Sequence, residues 1–339
     1  LCAYFILDTC LSLKGTGHKL GNFVKIRTGK LDANANFTDG KYPFFTCSKK
    51  PLKINSYSYD CKCVLVAGNG DLNVKYYEGK FDAYQRTYIV ESKDESILDT
   101  RYLYWFLFKY VEKLRELSIG GVIKYIKLNN LTDPKISLPT LKDQKRIVKI
   151  VDEADTLRQK RKQAIDLLDR YIKSVFLDMF GDPVKNPKGW VKKSLNKFGQ
   201  IITGNTPSRN ISNNYSSNYI EWIKTDNIVE NKTYITTATE YLSPEGLKKA
   251  RFVESGAILV ACIAGSIGSI GRTAITDRKV SFNQQINALQ LNKEVNSFFI
   301  YCLFRISRTY IQNYATKGMK RIVTKGVFEK IKMIMPPLN

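Results

Sequence analysis

A stretch of 21 residues occurs twice in this chain, 197 positions apart. Gly121 to Leu141 reads GVIKYIKLNNLTDPKISLPTL, and Gly318 to Leu338 reads GMKRIVTKGVFEKIKMIMPPL. Aligned without gaps, Gly121 meets Gly318, Lys124 meets Arg321, Ile126 meets Val323, Leu131 meets Phe328 and Pro139 meets Pro336. Apolar, basic, glycine and proline positions keep step, so the chain reads as an internal duplication, a constraint that outranks any local pattern. The echo continues upstream with gaps. Tyr104 falls opposite Tyr301, VLVAGNGD (Val64 to Asp71) recurs as ILVACIAGSIG (Ile258 to Gly268), and VKIRTGK (Val24 to Lys30) recurs as GQIITGN (Gly199 to Asn205). Gln85 and Gln285 are expected to correspond. Two copies of ordinary domain size fit 339 residues.

Between the copies lies one long periodic segment, Asp143 to Met179. Apolar or small residues fall at Ile147, Ile150, Ala154, Leu157, Ala164, Leu168, Tyr171 and Val175, with Arg161 interrupting the row. Steps of three and four make a coiled-coil seam. Neither Gly nor Pro falls inside, and Gly181-Asp182-Pro183 stops it. A helix of this length spans roughly 55 Å. An exposed apolar stripe needs a partner helix, from this chain or another. The second copy ends at MPPLN, where the first runs on into its helix, so the chain is expected to lack the distal helix. The expectation is a shortened chain, or a natural short form whose helix pairs between chains as a homodimer. The predicted class is α+β: two β-rich heads related by duplication and joined by a long coiled-coil-type helix. The boundaries are an opening segment of unassigned role at 1–17, a first domain at 18–140, the helix at 141–180 and a second domain at 181–339.

Within each copy, short β-rich runs such as Cys61 to Gly68, Thr87 to Ser92 and Ala257 to Gly265 are separated by Gly, Asn and Asp. Helical runs are expected at Leu98 to Leu117 and Asn296 to Tyr314, and a surface loop at Asn205 to Tyr219.

The net charge is +23, from 54 basic and 31 acidic residues. Lys19 to Leu141 holds 20 basic against 13 acidic residues, and Phe180 to Asn339 holds 23 against 10. Both copies are therefore basic, which implies a polyanionic partner, nucleic acid before an anionic membrane. No apolar run reaches the length of a spanning helix, and the apolar opening lacks the basic residues of a signal peptide. The seven cysteines lack paired spacing, so reduced thiols and a cytoplasmic location are expected.

Chemistry is sparse. One histidine, His18, excludes a His-based triad and a two-His metal site. Gly265-Ser-Ile-Gly268-Ser-Ile-Gly271 lacks the lysine and spacing of a phosphate loop and reads as a bend. No carboxylate pair is singled out for acid–base work. The chain is expected to recognise and not to react. Candidate nucleic-acid contacts are the basic and amide residues at the ends of β-rich runs: Lys30, Ser48, Lys49, Lys50, Asn69, Asn73, Lys75, Tyr84, Gln85, Arg86 and Lys124 in the first copy. In the second they are Lys224, Asn227, Arg272, Gln284, Gln285, Lys320 and Arg321. Arg reads guanine and Asn or Gln reads adenine, whereas Lys mostly holds phosphates. The competing readings are a scaffold with an incidental basic surface and, less favoured, a nuclease or fused modification enzyme.

Four segments carry a family resemblance: GKLDANANFTDGKYPFFTCSKKP (Gly29 to Pro51), VLVAGNGDLNVKYYEGKFDAYQRTYIV (Val64 to Val90), LPTLKDQKRIVKIVDEADTLRQKR (Leu138 to Arg161) and GDPVKNPKGW (Gly181 to Trp190). Over Lys19 to Asn339 the chain resembles the specificity subunits of type I restriction–modification systems. The resemblance implies two target-recognition domains, at Gly21 to Pro139 and Trp190 to Pro336, each reading one half of a bipartite sequence in double-stranded DNA. Leu141 to Met179 would be the central spacer and docking helix, which the family pairs with an antiparallel mate. It further implies no catalysis and no cofactor on this chain. Modification subunits would methylate adenine with S-adenosylmethionine, and a restriction subunit that is both motor and endonuclease would use ATP and Mg.

Overall fold

A computed structural model describes residues 17–337. The opening segment up to Thr16, with Cys2 and Cys10, lies outside the described residues, as do Leu338 and Asn339. Two compact units divide inside one helix, the first running to Gln163 and the second starting at Ala164.

In the first unit, β1 (Val24–Thr28), β2 (Tyr42–Phe45), β3 (Leu52–Ile54), β4 (Tyr59–Ala67), β5 (Val74–Ala83) and β6 (Thr87–Ser92) form one sheet in the order β1-β6-β4-β5-β2-β3. The pairing is antiparallel except between β2 and β5. Strand β4 pairs with β6 on one edge and β5 on the other, and a separate apolar cluster covers each of its two faces. That is why its sequence turns from alternation into the unbroken apolar run Val64-Leu65-Val66-Ala67. Val64 and Val66 pack beneath α1 (Thr100–Leu117), against Leu103, Phe106 and Leu107. Cys63 and Leu65 face the aromatic cluster of Phe45, Tyr59 and Phe81. Helix α1 starts where the Asp99 carboxylate accepts from the Arg101 and Tyr102 amides, each at 2.9 Å, satisfying donors that a helix start leaves open.

After α2 (Leu141–Phe180), which joins the two units, the second unit repeats this plan. Among its strands are β7 (Gly199–Thr203), β8 (Ile220–Ile223), β9 (Tyr241–Leu242), β10 (Phe252–Val253), β11 (Ile258–Ala261), β12 (Ile263–Ala264), β13 (Thr273–Ile275), β14 (Val280–Phe282), β15 (Ile286–Leu291) and β16 (Arg321–Ile322). The order β7-β15-β11-β13 reproduces β1-β6-β4-β5. The long strand β5 is matched by β13 plus β14, split by the turn at Thr276 to Lys279. Beyond the split, β14 enters a second sheet, β9-β8-β14-β10, and pairs in parallel with β8 as β5 does with β2. Helix α3 (Ser297–Ile306) takes the place of α1, capped by Asn296, 197 residues after Asp99.

Individual backbone bonds recur. Leu20 N–H donates to Pro134 at 2.8 Å and Leu195 N–H to Ile331 at 3.0 Å; Ile126 N–H donates to Gly68 at 2.9 Å and Val323 N–H to Cys262 at 2.8 Å. The duplication and the α+β class are therefore properties of the structure. The expected helix Asn296 to Tyr314 is broken: α3 ends at Ile306, and a separate turn covers Arg308–Gln312. The expected loop Asn205 to Tyr219 is ordered around a short 3-10 turn, Ser212–Tyr215, with Asn214 buried.

Helix α2 is continuous from Leu141 to Phe180. The Thr140 hydroxyl bonds the Asp143 carboxylate at 2.6 Å and accepts from the Asp143 amide at 3.2 Å, a reciprocal cap. Gly181, at φ 74°, ends it, and a Cβ there would meet the Pro187 ring at 2.8 Å. The seam read from the sequence is not what binds this helix to its units. Ile147 is half-buried against the first core and Ala154 is half-buried, but Ile150, Leu157, Ala164, Leu168, Tyr171 and Val175 are exposed, as is every residue from Thr156 to Leu168. The docking residues lie on a different stripe. Gln144 is fully buried: its Oε1 accepts from Asp99 N–H at 2.9 Å, and its Nε2 donates to Ile97 at 2.7 Å and Pro139 at 3.0 Å. Val151 enters the first core, and Asp152 receives Arg101 at 2.9 Å and the Trp105 indole at 2.8 Å. At the other end, Phe176 stacks on Phe299 at 5.7 Å, and Asp169 pairs with Arg305 at 3.4 Å. No helix among the described residues is long and apolar enough to cross a membrane.

Gln144→Ala removes three hydrogen bonds and leaves the buried Asp99 amide without its acceptor. The first unit is expected to lose about 1–3 kcal/mol of stability in denaturant unfolding, whereas an unchanged midpoint contradicts the docking role given to Gln144.

Candidate nucleic-acid interface

Five separate segments of the first unit meet at one end of its sheet, and backbone bonds gather them. Lys30 N–H donates to Ala83 at 3.2 Å, and Gly29 N–H to Thr87 at 3.1 Å. Tyr84 N–H donates to Phe45, and Gln85 N–H to Leu31, both at 2.9 Å. Gly68 N–H donates to Arg86 at 2.8 Å, and Gly70 N–H to Lys124 at 2.9 Å, beside a bridge between Asn69 and Tyr125. The crossing is tight: a Cβ on Gly29 would lie 2.1 Å from the Ala83 carbonyl oxygen. All the predicted contact residues of the first copy therefore sit on or next to one rim.

Their roles on that rim differ. Lys30, Lys50, Arg86 and Lys124 are exposed, and none makes an ion pair within the described residues. Gln85 is exposed, while Tyr84 and Asn69 are half-buried. Lys49 pairs with Asp71 at 2.9 Å and holds that carboxyl below its usual range. Ser48 donates to the Lys50 carbonyl at 2.6 Å, shaping its own loop. Asn73 ties the rim together by donating to the carbonyls of Cys47 and Asp71, each at 2.8 Å. Lys75 is bonded to the Asn73 side chain, and burial pushes its ammonium down to about 8.

The second unit builds the same rim. Gly204 N–H donates to Ile286 and Asn205 N–H to Phe282, both at 3.1 Å; Asn283 N–H donates to Ile223 at 3.0 Å and Cys262 N–H to Gln285 at 2.8 Å. These bonds fix the correspondence of turn residues and correct one expectation. Gln85 matches Gln284, and Arg86 matches Gln285, so Gln85 and Gln285 are not counterparts. The local spacing here is 199, because a two-residue difference between the turn and α1 or α3 offsets the 197-residue period. Gln284 is exposed and bonded to the Thr206 hydroxyl; Gln285 is half-buried and accepts from the Asn283 amide at 3.0 Å. Lys320 is exposed, and Arg321 holds the Thr316 carbonyl at 3.2 Å in the β12–β16 pair. Asn227 is a turn former: it accepts from Lys224 N–H at 3.0 Å and donates to Thr237 at 3.0 Å. Arg272 is the positional counterpart of Asn73, and it faces Glu230 at 3.6 Å beside Arg308. The glycine segment is a bend: Gly271 has φ 76°, and Arg308 and Gln312 occupy the carbonyls of Gly268, Ile267 and Ile270.

One cluster escaped sequence reasoning. The Arg209 guanidinium lies over the rings of Tyr215 at 5.2 Å and Trp222 at 5.3 Å. It shares Glu240 with Lys224, and the two cations, Lys224 foremost, hold that carboxyl low. Arg209 stands in an Asn/Ser-rich stretch with no periodicity, so only the Trp222 strand hinted at it.

The family described as the type I restriction modification DNA specificity domain matches residues 17–167 and again 187–339, and the chain belongs to that family, with two copies of its domain. Among curated relatives, the type I restriction enzyme EcoDI specificity subunit of Escherichia coli is 33% identical over 234 residues, 66% of this chain and 50% of that protein. The HindI specificity subunit of Haemophilus influenzae is 32% identical over 155 residues, 44% of this chain and 32% of that one. The chain thus spans about half the length, or less, of these relatives. The fold is that of the type I restriction–modification S subunit from M. genitalium, with a TM-score of 0.65 and 15% identity, covering 94% of this chain and 83% of that one.

The half-buried Lys75 makes a pH signature. Its folded value of about 8 lies below the 10.5 of an unperturbed lysine, so between these values the unfolded chain binds a proton that the folded chain has released. Stability contributed by this group therefore rises with pH across that window. Lys75→Met is expected to remove that rise when unfolding is followed from pH 7.5 to 10.5; an identical pH profile in the variant contradicts it.

Proposed function

We propose that this chain is the sequence-reading subunit of a type I restriction–modification complex, with each rim reading one half of a split target in double-stranded DNA. The observation that carries this is the recurrence of four backbone bonds of one rim in both units of a chain that belongs to a DNA specificity family. Exposed cations at Lys30, Lys50, Lys124 and Lys320 suit phosphates, and the turns Tyr84-Gln85-Arg86 and Asn283-Gln284-Gln285 suit base edges. The same backbone displays different side chains in the two units, as a two-part target with unlike halves requires.

The chemistry belongs to partners in this proposal: modification subunits carrying S-adenosylmethionine, and a restriction subunit using ATP and Mg, in the cytoplasm with the DNA. The exposed seam from Ile150 to Val175 is the surface offered to them, or to a second copy of this chain in a homodimer. Helix α2 then acts as the ruler for the gap between half-sites.

Two outcomes follow. Lys30→Gln, Lys50→Gln and Lys124→Gln together should flatten the slope of log binding constant against log salt by about 3, near one counterion per cation; an unchanged slope places the phosphates elsewhere. Inserting one helical turn within Thr156 to Leu168 should change the preferred gap between half-sites, read by selecting bound duplexes from a random pool. The same gap in both selections contradicts the ruler.

A further inference from the structure

Val122 and Met319 have the greatest fractional exposure of the large apolar side chains among the described residues, at 104% and 97%. They hold the same position in the repeat, 197 residues apart. Each is the tip of a short loop closed at its base. Ile119 N–H donates to Tyr125 at 3.0 Å and Tyr125 N–H returns to Ile119 at 2.9 Å, while Thr316 N–H donates to Ile322 at 3.0 Å. Both loops are pinned to the rims, the first through Gly70 and Lys124, the second through the β12–β16 pair. Gly120, at φ 115°, folds the first loop back on itself; a Cβ there would stand 2.6 Å from the Ile123 carbonyl oxygen. Basic residues flank each tip: Lys124 and Lys127 in one unit, Lys317, Lys320 and Arg321 in the other.

We infer that these two tips are apolar wedges that enter the base stack of the bound duplex and partly unstack one step in each half-site. A single exposed valine or methionine needs no explanation. Here the same bare apolar tip occurs twice, within a basic loop, on rims whose base-reading residues differ. A contact retained in both units while the reading residues change serves something common to both half-sites and independent of sequence. Duplex DNA is a polyanion with an apolar interior reachable between base steps, and it meets both features of the loop at once. A thymine-methyl contact would tie both tips to one base identity, which the dissimilar turns argue against.

The inference rests on the proposed DNA reading, and one experiment separates the two. The full chain selects a duplex from a random-sequence pool, and 2-aminopurine is then placed at each step of the selected duplex. Fluorescence should rise on binding at one step per half-site. Val122→Ser should abolish one of these rises and Met319→Ser the other. Each variant should bind roughly 10-fold more weakly, the loss expected for one medium apolar side chain denied burial, with the salt slope unchanged because no charge is removed. Both variants should melt at the wild-type temperature, since neither tip is packed. A chain that selects no duplex removes the DNA reading, and the wedge with it. A chain that selects a duplex but leaves 2-aminopurine dark, or variants that bind it as tightly as wild type, remove the wedge alone. Loss confined to binding of phosphatidylserine vesicles likewise overturns it in favour of a membrane surface.

Discussion

The turn between β5 and β6 in the first unit, and its counterpart between β14 and β15 in the second, holds the candidate interface together. In the first unit the carbonyls of Ala83, Arg86 and Thr87 accept the amides of Lys30, Gly68 and Gly29; in the second, Phe282, Gln285 and Ile286 accept Asn205, Cys262 and Gly204. These are backbone bonds, so side chains on the rim are free to vary without loosening it. Gly29 and Gly204 allow the approach, since a Cβ at either would lie 2.1 to 2.2 Å from a carbonyl oxygen. A scaffold of this kind separates stability from specificity. The turn displays Gln85 and Arg86 in one unit and Gln284 and Gln285 in the other, on the same frame.

The helix between the units shows a similar division of labour. Its docking stripe is specific and polar: a fully buried amide at Gln144, and a carboxylate at Asp152 bonded to both Arg101 and Trp105. Buried polar groups of this sort are costly unless fully satisfied, which makes them good at fixing a single docking arrangement. The seam residues Leu157, Leu168 and Tyr171 are left in water, on a face that the described residues do not cover. In the function proposed above, this apolar row on a helix already anchored at both ends is the surface offered to a partner.

Much of this was legible in the sequence, for physical reasons. The duplication survived because the Gly and Pro positions and the apolar register at Ile126 and Val323 are imposed by strand and loop geometry. The run Cys61 to Gly68 is legible as a strand because its apolar residues are bounded by turn formers. The position of the rim is legible because basic and amide side chains cluster at strand ends. What failed was alignment through insertions: Gln85 was paired with Gln285 because no gap in the sequence reveals the two-residue shift before α3. The docking stripe was hidden because Gln144 and Asp152 are polar and a search for apolar periodicity passes over them. The split of β5 into β13 and β14, and the cluster of Arg209 with Trp222, arise from tertiary pairing with β8, which leaves no local signal.

The central claim is that one rim on each unit forms the surface that meets DNA. Amide hydrogen exchange on the full chain, with and without a duplex it has selected, tests this most directly. Slowed exchange is expected at residues 29–31, 46–50, 68–73, 84–86 and 119–126 of the first unit, and at 204–206, 262–272, 283–285 and 316–323 of the second. Protection in only one unit, or on the outer faces of α1 and α3 with the rims unchanged, would contradict it.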